Sequence, residues 1–323
     1  MLTVTAEAHP NIALVKYWGK RDLALNLPST SSLALTLGGF ATRTTVTWGE
    51  QQDEVLLDGA PASAQAAARV LRFLDLVDPD RPPCRVQSAS NFPVAAGLAS
   101  SSSAFAALAL AATEAAGRHL DPARLSALAR RGSGSACRSL AGGFVHWRRG
   151  DDPDGVDSFA LPVAPDPAWE LAVVVAVVHG GPKVVGSTEG MLRSADTSPC
   201  YPAFVAQNER LVAQGLAAVA ARDLPALAEV MERSTLLMQA SMSTAWPPIR
   251  YLRSGSLAVL ERIEALRAGG LVCGWTMDAG PNVKVVCSPA DAEAVRGALA
   301  PLVSAAHVLG VGGPARVVRR RVE

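Results

Sequence analysis

Four short stretches carry side chains that could hold and move a phosphoryl group. "HPNIALVKYWGKRDLALNLPSTSSLALTL" (residues 9–37) sets Asn11, Lys16, Tyr17, Lys20 and several hydroxyls close together. "GLASSSSAFAAL" (97–108) places Gly97 and Ser100 to Ser103 ahead of an Ala- and Leu-rich run. "RRGSGSACRSLAGG" (130–143) surrounds Arg138 with small residues. The backbone there can approach a ligand while the guanidinium forks onto a carboxylate or phosphate. "MDAGPNVK" (277–284) puts Asp278 before a Gly-Pro turn, where a carboxylate could act as a base or a metal ligand. Together these are charge neutralisers, a phosphate cradle and one proton acceptor, the parts phosphoryl transfer needs. Each stretch also has a plainer reading: a strand and basic loop, a heavily capped core helix, a tight helix-packing turn, a turn-capping aspartate.

The serine stretch is the most explicit about local structure. Ala and Leu favour helix, whereas Ser is favoured at the N-cap and poor inside. Residues 104–116 therefore read as helix, with the serines on its first turn and Gly97 in a tight approach loop. A helix start presents unpaired N–H groups and partial positive charge, which suit a phosphate. The G-x-x-x-x-G-K-[ST] spacing of a Walker loop is absent. The basic residues add a second signal. Of 30, only four are lysine (Lys16, Lys20, Lys183, Lys284), so lysine marks places where a compact ammonium is wanted.

The elements that must position these groups are mixed. Residues 42–48 and 53–59 read as a hairpin, 62–77 as helix and 85–91 as a strand leading to the serine loop. Asp121 and Pro122 read as N-cap and first position of a helix ending near 131. Residues 142–147 read as strand and 148–155 as a polar surface loop. A buried strand starts at Leu171. Helices follow over 202–221, 224–243 and 255–268, then strand, turn and strand over 274–287, and a late helix over 291–302. Without regular βαβ alternation this is α+β. The 323 residues imply two domains, with the boundary near 180–197. Apolar residues are 49% of the chain, enough for sizeable cores. A net charge of +1 gives no footprint for nucleic acid or an anionic membrane. The longest apolar run, "LAVVVAVV", is a strand's length rather than a membrane span. Five scattered cysteines without a C-x-x-C pair, and no visible signal peptide, point to reduced thiols in the cytoplasm.

Five motifs, "NIALVKYWGKRD", "GLASSSSAFAAL", "GSGSACRSLAGG", "STEGM" and "MDAGPNVKV", occur in that order between Asn11 and Cys287. They resemble those of the mevalonate diphosphate decarboxylases of the GHMP kinase superfamily. The resemblance implies a two-domain α+β GHMP kinase fold. Residues 1–185 would form a domain like the second domain of ribosomal protein S5, carrying the ATP phosphate loop. Residues 186–323 would form a ferredoxin-like domain. The active site would lie in the cleft between them, in a homodimer. ATP, with magnesium, would phosphorylate the tertiary hydroxyl of mevalonate 5-diphosphate. Phosphate and carbon dioxide would then leave, giving isopentenyl diphosphate and ADP.

The resemblance also implies roles. Asp278 would orient and deprotonate the hydroxyl. Arg138 would hold the carboxylate, positioned by Asn11, and Lys16 would stabilise charge on the transferred group. Gly97, Leu98, Ala99, Ser100, Ser101 and Ser102 would cradle ATP, with Ser101 on magnesium. Tyr17, Lys20, Arg69, Ser135 and Ser187 would contact the substrate. Two positions depart from the pattern. Gln239 stands where many relatives carry histidine, and Gly186 replaces a serine in the usual "VSST". Neither is a core catalytic position. Rivals on the same fold are a phosphomevalonate decarboxylase, a mevalonate 3-kinase and a non-catalytic ligand sensor.

Overall fold

The structure is a computed structural model that describes residues 2–92, 100–163, 169–181 and 184–322. Its first part runs β1 (Leu2–Ala8), β2 (Asn11–Val15), β3 (Lys20–Asp22), β4 (Leu27–Pro28), β5 (Ser32–Thr36) and β6 (Thr42–Trp48). It continues β7 (Glu54–Leu57), β8 (Ala60–Pro61), α1 (Ala64–Val77), β9 (Cys84–Ser90), α2 (Ser100–Ala115), α3 (Pro122–Gly132), β10 (Phe144–Trp147) and β11 (Ala160–Pro162). The second part is β12 (Ala172–Val177), α4 (Ser187–Thr197), α5 (Tyr201–Ala221), α6 (Leu224–Ser243), α7 (Ser254–Ala268), β13 (Cys273–Met277), β14 (Val283–Cys287), α8 (Ala292–Leu299), β15 (Ala305–Gly310) and β16 (Arg316–Val322). A 3-10 turn over Gly134–Leu140 carries Arg138.

Among the described residues four sheets organise these elements: a six-stranded one (β16-β1-β6-β9-β7-β8), two four-stranded ones (β11-β10-β5-β2 and β13-β14-β12-β15) and the two-stranded β3-β4. The strands obey their sequence patterns. In β6 alternate residues are buried, which suits a sheet with one face on a core. β12 and β14, the central strands of their sheet, are buried at every position, and so is β13 at its edge, which α6 covers. The helices expected from the sequence form. Asp121 caps α3 with Pro122 behind it, as expected, and Ser63, which the sequence reading did not single out, caps α1. α2 begins at Ser100, so the serines do occupy its first turn, and its small residues let it bury along β1 and β6.

One expectation fails. Residues 42–48 and 53–59 do not form a hairpin: β9 lies between β6 and β7, antiparallel to one and parallel to the other. The parallel pair requires a crossover, which α1 supplies. The turn that resembled a hairpin loop is tied to β9's approach, where the amides of Gly49 and Glu50 both donate to the Pro83 carbonyl. The division at 185/186 is crossed by the sheets. β12 belongs with β13 to β15, while β16 returns to pair with β1 along Leu2–Glu7. β16 is hard to foresee because its sequence, Arg-Val-Val-Arg-Arg-Arg-Val, buries almost no side chain. Its pairing is a backbone matter, and its arginines suit an exposed sheet edge.

One apolar cluster joins the parts. Ile12, Leu14, Leu33, Leu35 and Phe144 share it with Val173, Val175, Leu211, Val230, Met231 and Val286. α6 lies very close to β13: a side chain on Gly274 would come within 2.7 Å of the Ala228 backbone. That approach brings α6 against the strand whose end carries Asp278.

Candidate active site

The candidate site is built around Lys16, the residue that follows β2. A bulge in the β2–β5 pairing between Ala13 and Val15 breaks the regular ladder. The Ala13 carbonyl then accepts from Lys16 Nζ at 3.0 Å and from Thr276 Oγ1 of β13, also at 3.0 Å. Bulges re-aim side chains in this way. The Lys16 backbone is gripped on both sides: its amide donates to Ser234 of α6 and its carbonyl accepts from Asn208 of α5.

Lys16 Nζ lies 2.9 Å from Asp278 Oδ1, and Lys284 Nζ lies 3.1 Å from Asp278 Oδ2. Both lysine side chains are 1% exposed, whereas the Asp278 side chain keeps 27%. The carboxylate is therefore the member of this trio that a ligand reaches first. Burial alone would raise the Asp278 pKa. The charges and hydrogen bonds of Lys16 and Lys284 outweigh it and hold the carboxyl well below its usual range. Burial pushes Lys16 down to about 8, helped by the charges of Lys284 and Arg138 and opposed by Asp278.

Arg138 lies beside this trio, 4% exposed. Its Nε donates to Asn11 Oδ1 at 3.1 Å and its Nη1 to Ser32 Oγ at 2.8 Å. Its guanidinium carbon stands 5.9 Å from the centre of the Trp147 ring. Asn11 is itself oriented, since its Nδ2 donates to Ser139 Oγ at 2.7 Å and to the Ser135 carbonyl at 3.1 Å. A guanidinium fixed through two of its nitrogens is prepared to receive a carboxylate on the rest. Burial lowers the Arg138 pKa, yet a guanidinium stays protonated at neutral pH.

A second group of donors lies further along. Lys20 Nζ is 3.2 Å from Thr188 Oγ1 in the first turn of α4. Burial, and then the charge of Arg69, lowers the Lys20 pKa. Arg69 donates to the Gly132 carbonyl at 2.8 Å and lies over the Phe105 ring. The Tyr17 hydroxyl is buried, has no hydrogen-bond partner among the described residues, and lies against Gly134, where a side chain would come within 2.6 Å of it. At the mouth of α2, Ser101 Oγ is 3.3 Å from Ser133 Oγ. Ser100, Ser101 and Arg69 line a cavity of about 240 Å³.

Two family models match this chain: a diphosphomevalonate decarboxylase-like N-terminal domain over residues 8–160 and a mevalonate 5-diphosphate decarboxylase C-terminal domain over 173–309. The chain belongs to the diphosphomevalonate decarboxylase family. The diphosphomevalonate decarboxylase of Aspergillus fumigatus is 38% identical over 96% of this chain and 82% of its own length. The mevalonate diphosphate decarboxylase of Staphylococcus aureus superposes with a TM-score of 0.94 and 34% identity over 99% of both chains. A solved complex, MDDEF with MVAPP, AMPPCP and magnesium, gives a TM-score of 0.92 and 39% identity over 98% of this chain and 99% of its own.

Of the positions the family resemblance singled out, Asn11, Arg138 and the Ser135 carbonyl are hydrogen-bonded together, Lys16 and Asp278 are paired, and the charge of Arg138 is felt by Lys16. Lys20 and Arg69 form the second group, with Ser187 next to the Thr188 that bonds Lys20. Ser100, Ser101 and Ser102 start α2. Gly97, Leu98 and Ala99, like Lys183, lie outside the described residues. Gln239 is buried with its Nε2 unpaired, and Gly186 is the N-cap of α4 without a side-chain cap. A decarboxylase with serine at that cap would gain only a few tenths of a kcal/mol for the helix. Four site residues escaped the sequence reading: Lys284, Ser32, Ser139 and Trp147. Lys284 alone left a signal, as one of four lysines among 30 basic residues.

Proposed function

We infer that this chain decarboxylates mevalonate 5-diphosphate at the expense of ATP, releasing isopentenyl diphosphate, ADP, phosphate and carbon dioxide. The observation that carries the chemistry is the Lys16–Asp278–Lys284 arrangement beside a buried, oriented Arg138. Bound ATP supplies the phosphoryl group that turns a tertiary hydroxyl into a good leaving group, and magnesium offsets phosphate charge. The residues present fit both. α2 opens on serines with the cavity beside them, and its N-terminal amides suit phosphate oxygens. Among the described residues no cluster of three or more His, Cys, Asp and Glu could hold a metal. A magnesium ion here would instead share serine hydroxyls, Ser101 foremost, with the phosphates themselves.

Asp278 accepts a hydrogen bond from the tertiary hydroxyl and aims its oxygen. A carboxylate held this far below its usual range is a weak base. Phosphoryl transfer through a loose transition state asks little of a base early, so the proton moves to Asp278 late. Arg138 holds the substrate carboxylate next to the reacting carbon, with Asn11 and Ser32 fixing the guanidinium. When the carbon–carbon bond breaks, its electron pair forms the new double bond as the phosphorylated oxygen departs. Lys16 keeps Asp278 ionised and adds positive charge close to the reaction.

The same reading includes a homodimer, as in the family, and a cytoplasmic location. All five cysteines are free and four are buried, which suits a reducing compartment. Among the described residues no helix is long and apolar enough to cross a membrane.

The test is turnover: the purified chain with ATP, magnesium and mevalonate 5-diphosphate should release carbon dioxide and phosphate in equal amounts. ATP consumption without carbon dioxide would point to a 3-kinase, and no ATP turnover to a ligand sensor. Ser101→Ala examines the phosphate cradle separately. It should weaken ATP–magnesium binding or turnover about tenfold, the value of one charge-assisted hydrogen bond, with an unchanged melting curve. Unchanged kinetics would leave Ser101 as a helix cap only.

A further inference from the structure

Lys284 sits in the middle of β14, opposite Val175 of β12 on one side and Thr276 of β13 on the other. Every residue of that strand is buried, and the lysine is 1% exposed. An ammonium in such a place is costly, and an aliphatic residue would pack there more cheaply. Lys16 already pairs with Asp278, so Lys284 leaves the trio with one net positive charge, and Arg138 adds another. What Lys284 supplies is geometric. It takes Oδ2 while Lys16 takes Oδ1, so the carboxylate is pinned at both oxygens from beneath and cannot rotate about its last torsion. The two pins come from different places, one after β2 and one in β14.

We propose that Lys284 is a positioning residue for the reaction, acting through Asp278: it fixes Oδ2 so that the carboxylate presents one orientation to the tertiary hydroxyl. This rests on the decarboxylase reading of the same site. Loss of the pin leaves Asp278 charged and still bonded to Lys16 but free to swing, which harms the aim of the hydroxyl more than substrate capture. The charge of Lys284 also reaches Lys16. It is one of the influences that lower the Lys16 pKa, along with burial and Arg138, against Asp278.

The experiment compares Lys284→Met with wild type, alone and in an Asp278→Asn background. In the wild-type background kcat should fall on the order of a hundredfold, the scale of a misaimed reacting group. The calorimetric Kd for mevalonate 5-diphosphate should change less than about threefold, since ground-state binding does not use the pin. The alkaline limb of kcat/KM, which reports the free enzyme, should move to higher pH, because removing a neighbouring positive charge strengthens the hold of Lys16 on its proton. In the Asp278→Asn background the same substitution should cost less than about threefold, because the partner it acts through is gone. Lys284→Gln keeps a donor within reach of Oδ2 and should recover part of kcat. If the Met variant does not fold, Lys284→Gln in both backgrounds carries the same comparison. An unchanged kcat, or an equal loss in the two backgrounds, overturns the proposal. Absence of turnover by the wild type would sink the decarboxylase reading instead, so the two failures are distinct.

Discussion

Asp278→Asn should lower decarboxylation of mevalonate 5-diphosphate by at least about a hundredfold, the contribution of a positioned acid–base group. The amide is nearly the same shape, but it cannot accept the proton of the tertiary alcohol or carry the charge that Lys16 and Lys284 surround. Affinity for an ATP analogue should change little, because Ser100 and Ser101 belong to a different element at the start of α2. The substitution also leaves two buried ammonium groups without their shared counter-charge. A melting curve must therefore accompany the kinetics, with rates taken well below the transition. Near-wild-type carbon dioxide release by the folded variant would remove Asp278 from the mechanism.

The second large effect concerns the far end of the substrate. A terminal diphosphate carries more charge than a monophosphate and extends farther from the reacting carbon. Lys20, Arg69, Tyr17 and Ser187 are the donors we propose for it; Lys20 already bonds Thr188 in the first turn of α4 and feels the charge of Arg69. Charge-assisted contacts contribute about 1.5–3 kcal/mol each, so two of them imply a preference of at least about a hundredfold in kcat/KM for the 5-diphosphate over the 5-phosphate. Lys20→Ala should erase much of that preference while sparing the slower monophosphate reaction. The measurement is kcat/KM for both substrates with both proteins. A wild-type preference for the monophosphate would make the chain a phosphomevalonate decarboxylase.

The helices and the site motifs were legible for a shared reason: both are local. Asp121 and Pro122 announce a helix start within a few residues. Arg138 and Asp278 stand out through the small or turn-forming residues next to them, and Lys16 as one of four lysines among 30 basic residues. What escaped depends on partners distant in the chain. The place of β9 between β6 and β7 is decided by a crossover helix, not by the turn after Trp48. β16 has no apolar face to betray it and exists because β1 offers an open edge. Ser32 looks like any strand serine until Arg138, 106 positions later, donates to it. Lys284 becomes meaningful only when β14 folds back beside the residue that β2 delivers.

The apolar cluster shared by β2, β5, β12, α5 and α6 sets how this molecule can open. Lobes that meet through a modest polar interface swing about a hinge as ligands enter and leave. Here the interior is common property, and parting the lobes would wet Ile12, Leu33, Val173 and Met231 together. Such a body breathes only at its periphery. Substrate admission and product escape then fall to segments around the rim, while the Lys16–Asp278–Lys284 clamp keeps a constant shape through the cycle. Because the cluster includes Ile12 of β2 as well as Val173 and Val175 of β12, packing defects in β12 reach the strand that carries Asn11.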